Sequence, residues 1–215
     1  MVPVGTWTLE TWTGSAGDFH ATEPRAERTV WDVHVTAPAV VLGSSQQVSE
    51  LRAGVLADRA VGSARRHSGG GAVWVSPADT FWVDVVIPRG DPLWVDDVPG
   101  SSMWLGEILA GVIGDGATVH TGRWEPTDTA RAYCFGGLAA GEVVGPHGKI
   151  VGISQRRTRG YARFQCVAYT SYDPVLVSGF FTDPAVASAV AALTVQTLGV
   201  NPADLLAGLL ARLPD

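Results

Sequence analysis

Cys134 stands fifteen residues before Lys149, and Lys149 is the only lysine in a chain of 215 residues. Every other strongly basic position is an arginine. An ammonium is a compact donor whose pKa can move, whereas a guanidinium is planar and stays charged. A lone lysine among arginines therefore points to a need for a primary amine. A thiol near cations loses its proton more readily, and the thiolate is a nucleophile able to carry an acyl group as a thioester. From Val143 to Tyr172 there is no acidic residue, while Lys149, Arg156, Arg157, Arg159 and Arg163 all fall there. These residue types would suit the floor of a site for an activated acyl group. Each key residue also has a plainer reading. Lys149 would be a solvated turn residue, and Cys134 a small buried apolar one. Cys166 lies mid-strand and reads as core.

A second feature is RRHSGGGAVWV, residues 65–75. Three consecutive glycines let the backbone turn tightly and bring its N–H groups close to a ligand. No Gly-Lys-Ser/Thr follows, so this is not a phosphate-binding P-loop. The plainer reading is a turn between strands. Two cysteines and scattered histidines show no zinc-site spacing, and no metal is expected. His34 and His120 read as structural residues in strands, and His147 as solvated in a turn.

The surrounding pattern says what must position these groups. Residues 6–12, 31–35, 39–42 and 80–87 read as strands, the last with Phe81, Val83, Val85 and Ile87 on one face. Residues 13–28 read as a loop, marked by Gly14, Gly17 and Pro24. Ser45 or Gln46 opens a helix with Val48, Leu51 and Val55 on one stripe. Residues 101–114 form a helix, with Leu105, Ile108, Leu109 and Val112 as its stripe and serines as caps. Residues 117–121 read as a strand, and 125–133 as a loop that delivers Cys134. A hairpin over 142–154 has Lys149 opening its second strand; an arginine-rich turn and a strand over 161–169 follow. Asp183-Pro184 starts a helix running to about Leu198, and Asn201-Pro202 starts the last one. The order suits an α+β, or mixed α/β, fold: a mixed central sheet flanked by helices.

The length suits one domain over 1–215, large enough to bury a full core. Hydrophobic content of 46% and charged content of 17% are those of a soluble globular chain. A net charge of −6 argues against generalised nucleic-acid binding, and an arginine-rich turn alone is a weak RNA site. No apolar run spans a bilayer, and the first residues lack the pattern of a signal peptide. The expected location is the cytoplasm, with no membrane partner. A Cys134–Cys166 disulfide is not expected in that reducing compartment.

RRHSGGGAV followed by a strand, then KIVGISQRR in that order, resembles the biotin/lipoate protein ligase and octanoyltransferase family over roughly residues 30–190. The resemblance implies a mixed sheet flanked by helices, similar to class II tRNA-synthetase catalytic domains. It implies that Arg65, Arg66, Ser68, Gly69, Gly70, Gly71 and Ala72 border the acyl or acyl-adenylate pocket. Gly152, Ser154 and Gln155 would complete it, with Lys149 contacting the acyl carbonyl or adenylate phosphate. The acceptor would be a lysine on a lipoyl domain. Cys134-Phe135, Glu142 and Lys149 match the spacing of the cysteine-dependent octanoyltransferase branch. That branch takes octanoate from acyl carrier protein through a thioester and needs no cofactor. The alternatives are an ATP- and Mg-dependent lipoate-protein ligase using free lipoate or octanoate, and a non-catalytic protein that binds an acyl group or lipoyl domain. The sequence departs from the family where Val75-Ser76 replaces a frequent His-Asp and Gln165-Cys166 a frequent His-Gly. Residues 13–28 also lack the usual apolar helix beside the pocket. The decisive expectation is geometric: Cys134 and Lys149 converge on one apolar slot, under the triple-glycine bend, that admits a fatty tail.

Overall fold

The computed structural model describes residues 6–114, 116–125 and 127–215. Its main sheet has seven strands: β1 (Thr8–Gly14), β2 (Thr29–Val35), β6 (Thr80–Pro88), β10 (Tyr161–Tyr169), β9 (Gly148–Arg157), β8 (Val143–Gly145) and β7 (Thr118–Val119), in that spatial order. The pair β1–β2 is parallel and the rest are antiparallel. A second sheet places β3 (Ala39–Leu42) between β4 (Gly62–Arg65) and β5 (Val73–Val75). The helices are α1 (Ala16–Ala21), α2 (Ala53–Asp58), α3 (Met103–Ile113), α4 (Asp128–Ala132), α5 (Pro174–Ser178), α6 (Pro184–Ala191) and α7 (Pro202–Leu210). This is the expected mixed α+β architecture. No helix among the described residues is long and apolar enough to cross a membrane.

Alternation along the central strands divides the interior in two. Phe81, Val83, Val85 and Ile87 of β6 and Phe164, Cys166 and Ala168 of β10 pack with Leu105 and Leu109 of α3 and Leu205 and Leu209 of α7. Trp82 of β6 and Val167 and Tyr169 of β10 join a second cluster with Val40, Val41 and Leu42 of β3. That cluster also takes Phe19, Phe180 and Phe181, so it fastens the small sheet to the large one. The polar residues Asp84, Arg163 and Gln165 interrupt the strands beside this second cluster.

Several local expectations are corrected. Residues 13–28 contain α1, whose N-cap Ser15 accepts from the Asp18 N–H at 3.1 Å. So a helix does stand beside the site. The stretch after Gly43 breaks into a 3₁₀ turn, Val48–Glu50, and α2, because Leu51 leaves the helix to bridge with Phe181. Ser102 precedes α3 but spends its hydroxyl on the Ala140 carbonyl, so it caps only by its backbone position. The 117–121 strand shrinks to two residues, and 125–133 carries α4, capped by the Thr127 side chain. Helix α6 stops at Ala191 because the chain beyond it turns extended: Val195 bridges Lys149, and Leu198 N–H donates to the Tyr169 carbonyl.

Candidate acyl-transfer site

Two backbone segments are zipped together to place Cys134. The Ala72 N–H donates to the Ala132 carbonyl at 2.9 Å, and the Cys134 N–H returns a bond to the Ala72 carbonyl at 2.8 Å. Gln46 Nε2 donates to the same Ala132 carbonyl at 3.1 Å. The glycine loop therefore lies directly on the Cys134 segment. A Cβ on Gly71 would come within 2.5 Å of the Tyr133 nitrogen, so only glycine permits this approach. The Cys134 sulfur then rests over β9, 3.7 Å from where a Gly152 side chain would begin.

Lys149 is only 4% exposed, which removes the solvated-turn reading. Its ammonium lies 2.7 Å from Glu142 Oε2 and donates to the Cys134 carbonyl at 2.8 Å. Glu142 also accepts from the Ala139 and Ile153 N–H groups. Cys134, Lys149 and Gly69–71 all line one cleft of about 310 Å³, with Ser154, Gln155 and Glu142. Exposed Val98 and Trp124 stand at its rim. Its size is that of an ordinary small-molecule site.

Cys134 and Ser154 also line an adjoining apolar slot, walled by Val73, Val75, Trp82, Phe135 and Val167. His20, Arg66 and Gln165 face the same slot. Its free volume is about 20 Å³, roughly the room for one water. The sequence expectation of one apolar slot is thus met in part: Cys134 lines it, but Lys149 and the glycine loop line only the neighbouring cleft, and the slot's walls stand too close for a fatty chain until side chains move.

Arg66 is the cation beside the thiol. It is buried, and its Nη groups donate to the carbonyls of Val41, Gly69 and Gly71. No carboxylate among the described residues pairs with it. Burial pulls its pKa down, and the Cys134 sulfur opposes that shift; a guanidinium keeps its proton regardless. An unpaired buried cation favours an anionic ligand nearby.

Other assigned residues fall elsewhere. Arg65 is exposed on β4 and lines neither space. Ala72 is fully buried and acts through its backbone. Ser68 links Ser154 Oγ and Gln165 Oε1, each at 3.1 Å. The basic run does not form the site floor as expected. Arg156 pairs with Glu23, Arg157 stacks on Trp94, and Arg163 is buried against Asp84 at 2.6 Å. Asp84 also accepts from Trp82 Nε1 and Gln165 Nε2. Burial pushes the Asp84 carboxyl up, while these three donors pull it down. With donors on every side, the carboxylate is the form that satisfies the network.

The residue that sequence reasoning missed is His20. It was hidden in a stretch read as loop, although Ser15 and Asp18 give a capping signal just before it. Gln165 Nε2 lies 3.4 Å from its Nδ1. Its Nε2 has no partner.

The lipoyl protein ligase A/B catalytic domain family matches residues 19–198. The chain belongs to that family. Among solved structures, a chain of the Thermoplasma acidophilum lipoylation system, a bipartite lipoate protein ligase and its E2 lipoyl domain, superposes with a TM-score of 0.68 at 15% identity. The match covers 96% of this chain and 81% of that one. A lipoate-protein ligase A bound with ATP gives 0.67 at 14% identity, over 95% and 82%. Plasmodium falciparum LipL1 in complex with lipoate gives 0.60 at 12%, over 94% and 58%. At these identities the likeness establishes the fold. No curated protein matches the sequence. The lipoyl ligase family thus supplies the lipoylation-type ligase/transferase fold, and the chain is homologous to lipoate-protein ligases.

Proposed function

We propose that this chain transfers an octanoyl or lipoyl group to a lysine of a lipoyl domain through a thioester on Cys134. The supporting observation is the placement of Cys134 at the junction of cleft and slot, beside a buried Arg66 with no carboxylate partner. The thiolate attacks the thioester carbonyl of an acyl carrier protein. The new S–C bond forms as the carrier's S–C bond breaks, and the carrier thiolate takes up a proton. The acceptor lysine's amine then attacks the acyl-cysteine, the amide forms, and Cys134 leaves as thiolate while the amine proton goes to solvent. Lys149 has one N–H beyond its bonds to Glu142 and Cys134, and in the cleft it polarises the acyl carbonyl. In this reading the glycine loop, Gly152, Ser154 and Gln155 form the walls of the acyl and acceptor space, and the protein works in the cytoplasm.

The second reading is ATP-dependent ligation, with lipoate or octanoate activated as the adenylate in the same cleft. Its support is that a structural neighbour is a ligase bound with ATP. Among the described residues no group of three or more His, Cys, Asp or Glu side chains could hold a metal. Any magnesium of that reading would come with the nucleotide phosphates, its usual ligands in such sites. Intact-protein mass spectrometry separates the readings. Octanoyl-acyl carrier protein should leave an octanoyl adduct that hydroxylamine removes and that Cys134→Ala never acquires. Lipoate-dependent ATP–pyrophosphate exchange that survives in Cys134→Ala would select ligation instead. Tight acyl binding with neither activity marks a non-catalytic binding protein. Lys149→Met should be tested together with Glu142→Gln, since a lone buried Glu142 charge would itself cost about 3–5 kcal/mol.

A further inference from the structure

One carboxamide in the cleft has half of its hydrogen-bonding capacity unused. Gln155 lines the cleft with Cys134 and Lys149. Ser101 Oγ donates to Gln155 Oε1 at 2.9 Å, while Gln155 Nε2 is buried with no partner. Ser101, itself 1% exposed, also lies 2.7 Å from the Val98 carbonyl. A hydroxyl has one hydrogen and two lone pairs, so Ser101 can hold either end of the carboxamide. With its hydrogen on Gln155 Oε1, the free end is a donor. With its hydrogen on Val98, the carboxamide turns over and the free end is an acceptor. A secondary amide carries both a carbonyl and an N–H, and so matches either state. Matching it removes the penalty of a buried polar group left unpaired.

The position of Gln155 says which amide can reach it. Strand β8 pairs with β9 only as far as Val151. Beyond Val151 that edge of β9 has no strand partner among the described residues, and the cleft runs along it. The Cys134 sulfur lies against Gly152. Gln155 is three residues further on, and strand alternation turns it to the opposite face, so the cleft crosses the open edge. The strand rise sets carboxamide and thiol about 10 Å apart along β9. In the acyl-transfer reading the donor thioester sits at Cys134, and the arm that carries it leaves through the cleft. The arm of an acyl carrier protein is a pantetheine chain with two secondary amides. The nearer begins two carbons from the sulfur and falls short of Gln155. The farther stands about 9 Å from the sulfur in an extended arm, which brings it beside the carboxamide.

We propose that Gln155, held by Ser101, is a specificity residue that hydrogen-bonds the distal amide of the pantetheine arm on the acyl donor. The inference rests on the acyl-transfer reading and deepens it by naming how the donor is recognised. The amide is remote from the reacting carbonyl, so the bond is the same in the ground state and the transition state. Its effect therefore falls on KM and not on kcat.

Acylation of Cys134 in the full chain, followed by intact-protein mass spectrometry, tests this with three octanoyl thioesters. They are octanoyl-pantetheine, octanoyl-N-acetylcysteamine, whose arm stops after the nearer amide, and a thioester with an arm as long as pantetheine but methylenes in place of the distal amide. Octanoyl-pantetheine should be preferred over both by about tenfold, in half-saturating concentration and not in maximal rate. In Gln155→Met, which keeps the length and loses the hydrogen bond, the ratio should fall towards one. If Gln155→Met does not fold, the wild-type ratio against the methylene arm decides alone. Equal use of pantetheine and the methylene arm by wild type overturns the proposal. So does a preference that persists in Gln155→Met, or one confined to the maximal rate. In each of these cases the acylation itself leaves the acyl-transfer reading standing; no acylation of Cys134 by any of the three thioesters removes both.

Discussion

Burial holds the His20 imidazole at a pKa of about 3, from an ordinary 6.5, with Arg163, Arg66 and His67 adding to the shift. The unfolded chain binds a proton at this residue below pH 6.5, and the folded chain does so only near 3. The stability it contributes is therefore complete above the unfolded value and drains as pH falls towards the folded one. The loss runs at about 1.4 kcal/mol per pH unit inside that window. Between pH 8 and pH 5 wild type should lose about 2 kcal/mol more than His20→Leu, measured by urea unfolding at both values. Parallel losses in the two proteins would show that His20 is not held neutral. That Cys134 and Lys149 would meet was legible in the sequence because the chain is poor in both residue types. His20 was not, because its meaning depends on Gln165, 145 positions away. The arginines misled for the same reason: nothing adjacent to Arg163 announces that Asp84 will face it across a strand pair.

The glycine loop shows why an element's role exceeds its motif. Three glycines in a row announce a turn, yet each does different work once the facing segments are known. A Cβ on Gly71 would meet the Tyr133 backbone, and one on Gly43 would lie 1.9 Å from the Gly70 oxygen. Gly70 itself has φ +92, a conformation that side chains resist. Gly69 has open space around its would-be Cβ. Gly71→Ala should therefore cost about 1–3 kcal/mol and slow Cys134 acylation, because it pries the loop off the segment that presents the thiol. Gly69→Ala should stay within about 0.5 kcal/mol of wild type and acylate normally. Comparing denaturation midpoints and acylation rates of the two variants checks this; equal damage from both would mean that the loop works as a flexible unit. The short helices α1 and α4 flank this loop and the thiol. Both escaped sequence reading because five or six residues give no periodicity, and only their caps, Ser15 and Thr127, signal them.

The larger architecture was readable because long strands and α3 and α7 bury one consistent face, a pattern that survives without knowledge of partners. How the small sheet joins the large one was not readable, since Trp82, Tyr169 and Val41 meet only after both sheets exist. That shared cluster leads us to propose that residues 6–215 unfold as one domain. A buried pair reinforces it. Arg28 lies 2.8 Å from Asp91, both side chains 1% exposed. Arg28 also donates to the Pro214 carbonyl, as Trp7 does, and stacks over the Trp7 ring. One guanidinium thus connects β1's approach, the turn after β6 and the segment after α7. Arg28→Ala would strand the Asp91 carboxylate in the interior, at a cost of about 3–5 kcal/mol. In a single cooperative unit, that loss lowers the urea midpoint seen by tryptophan fluorescence and by far-ultraviolet circular dichroism equally, and the two curves stay coincident. Were the small sheet a separate unit, its site-forming glycine loop would melt on its own, the two signals would part, and acyl binding would vanish before the main sheet unfolded.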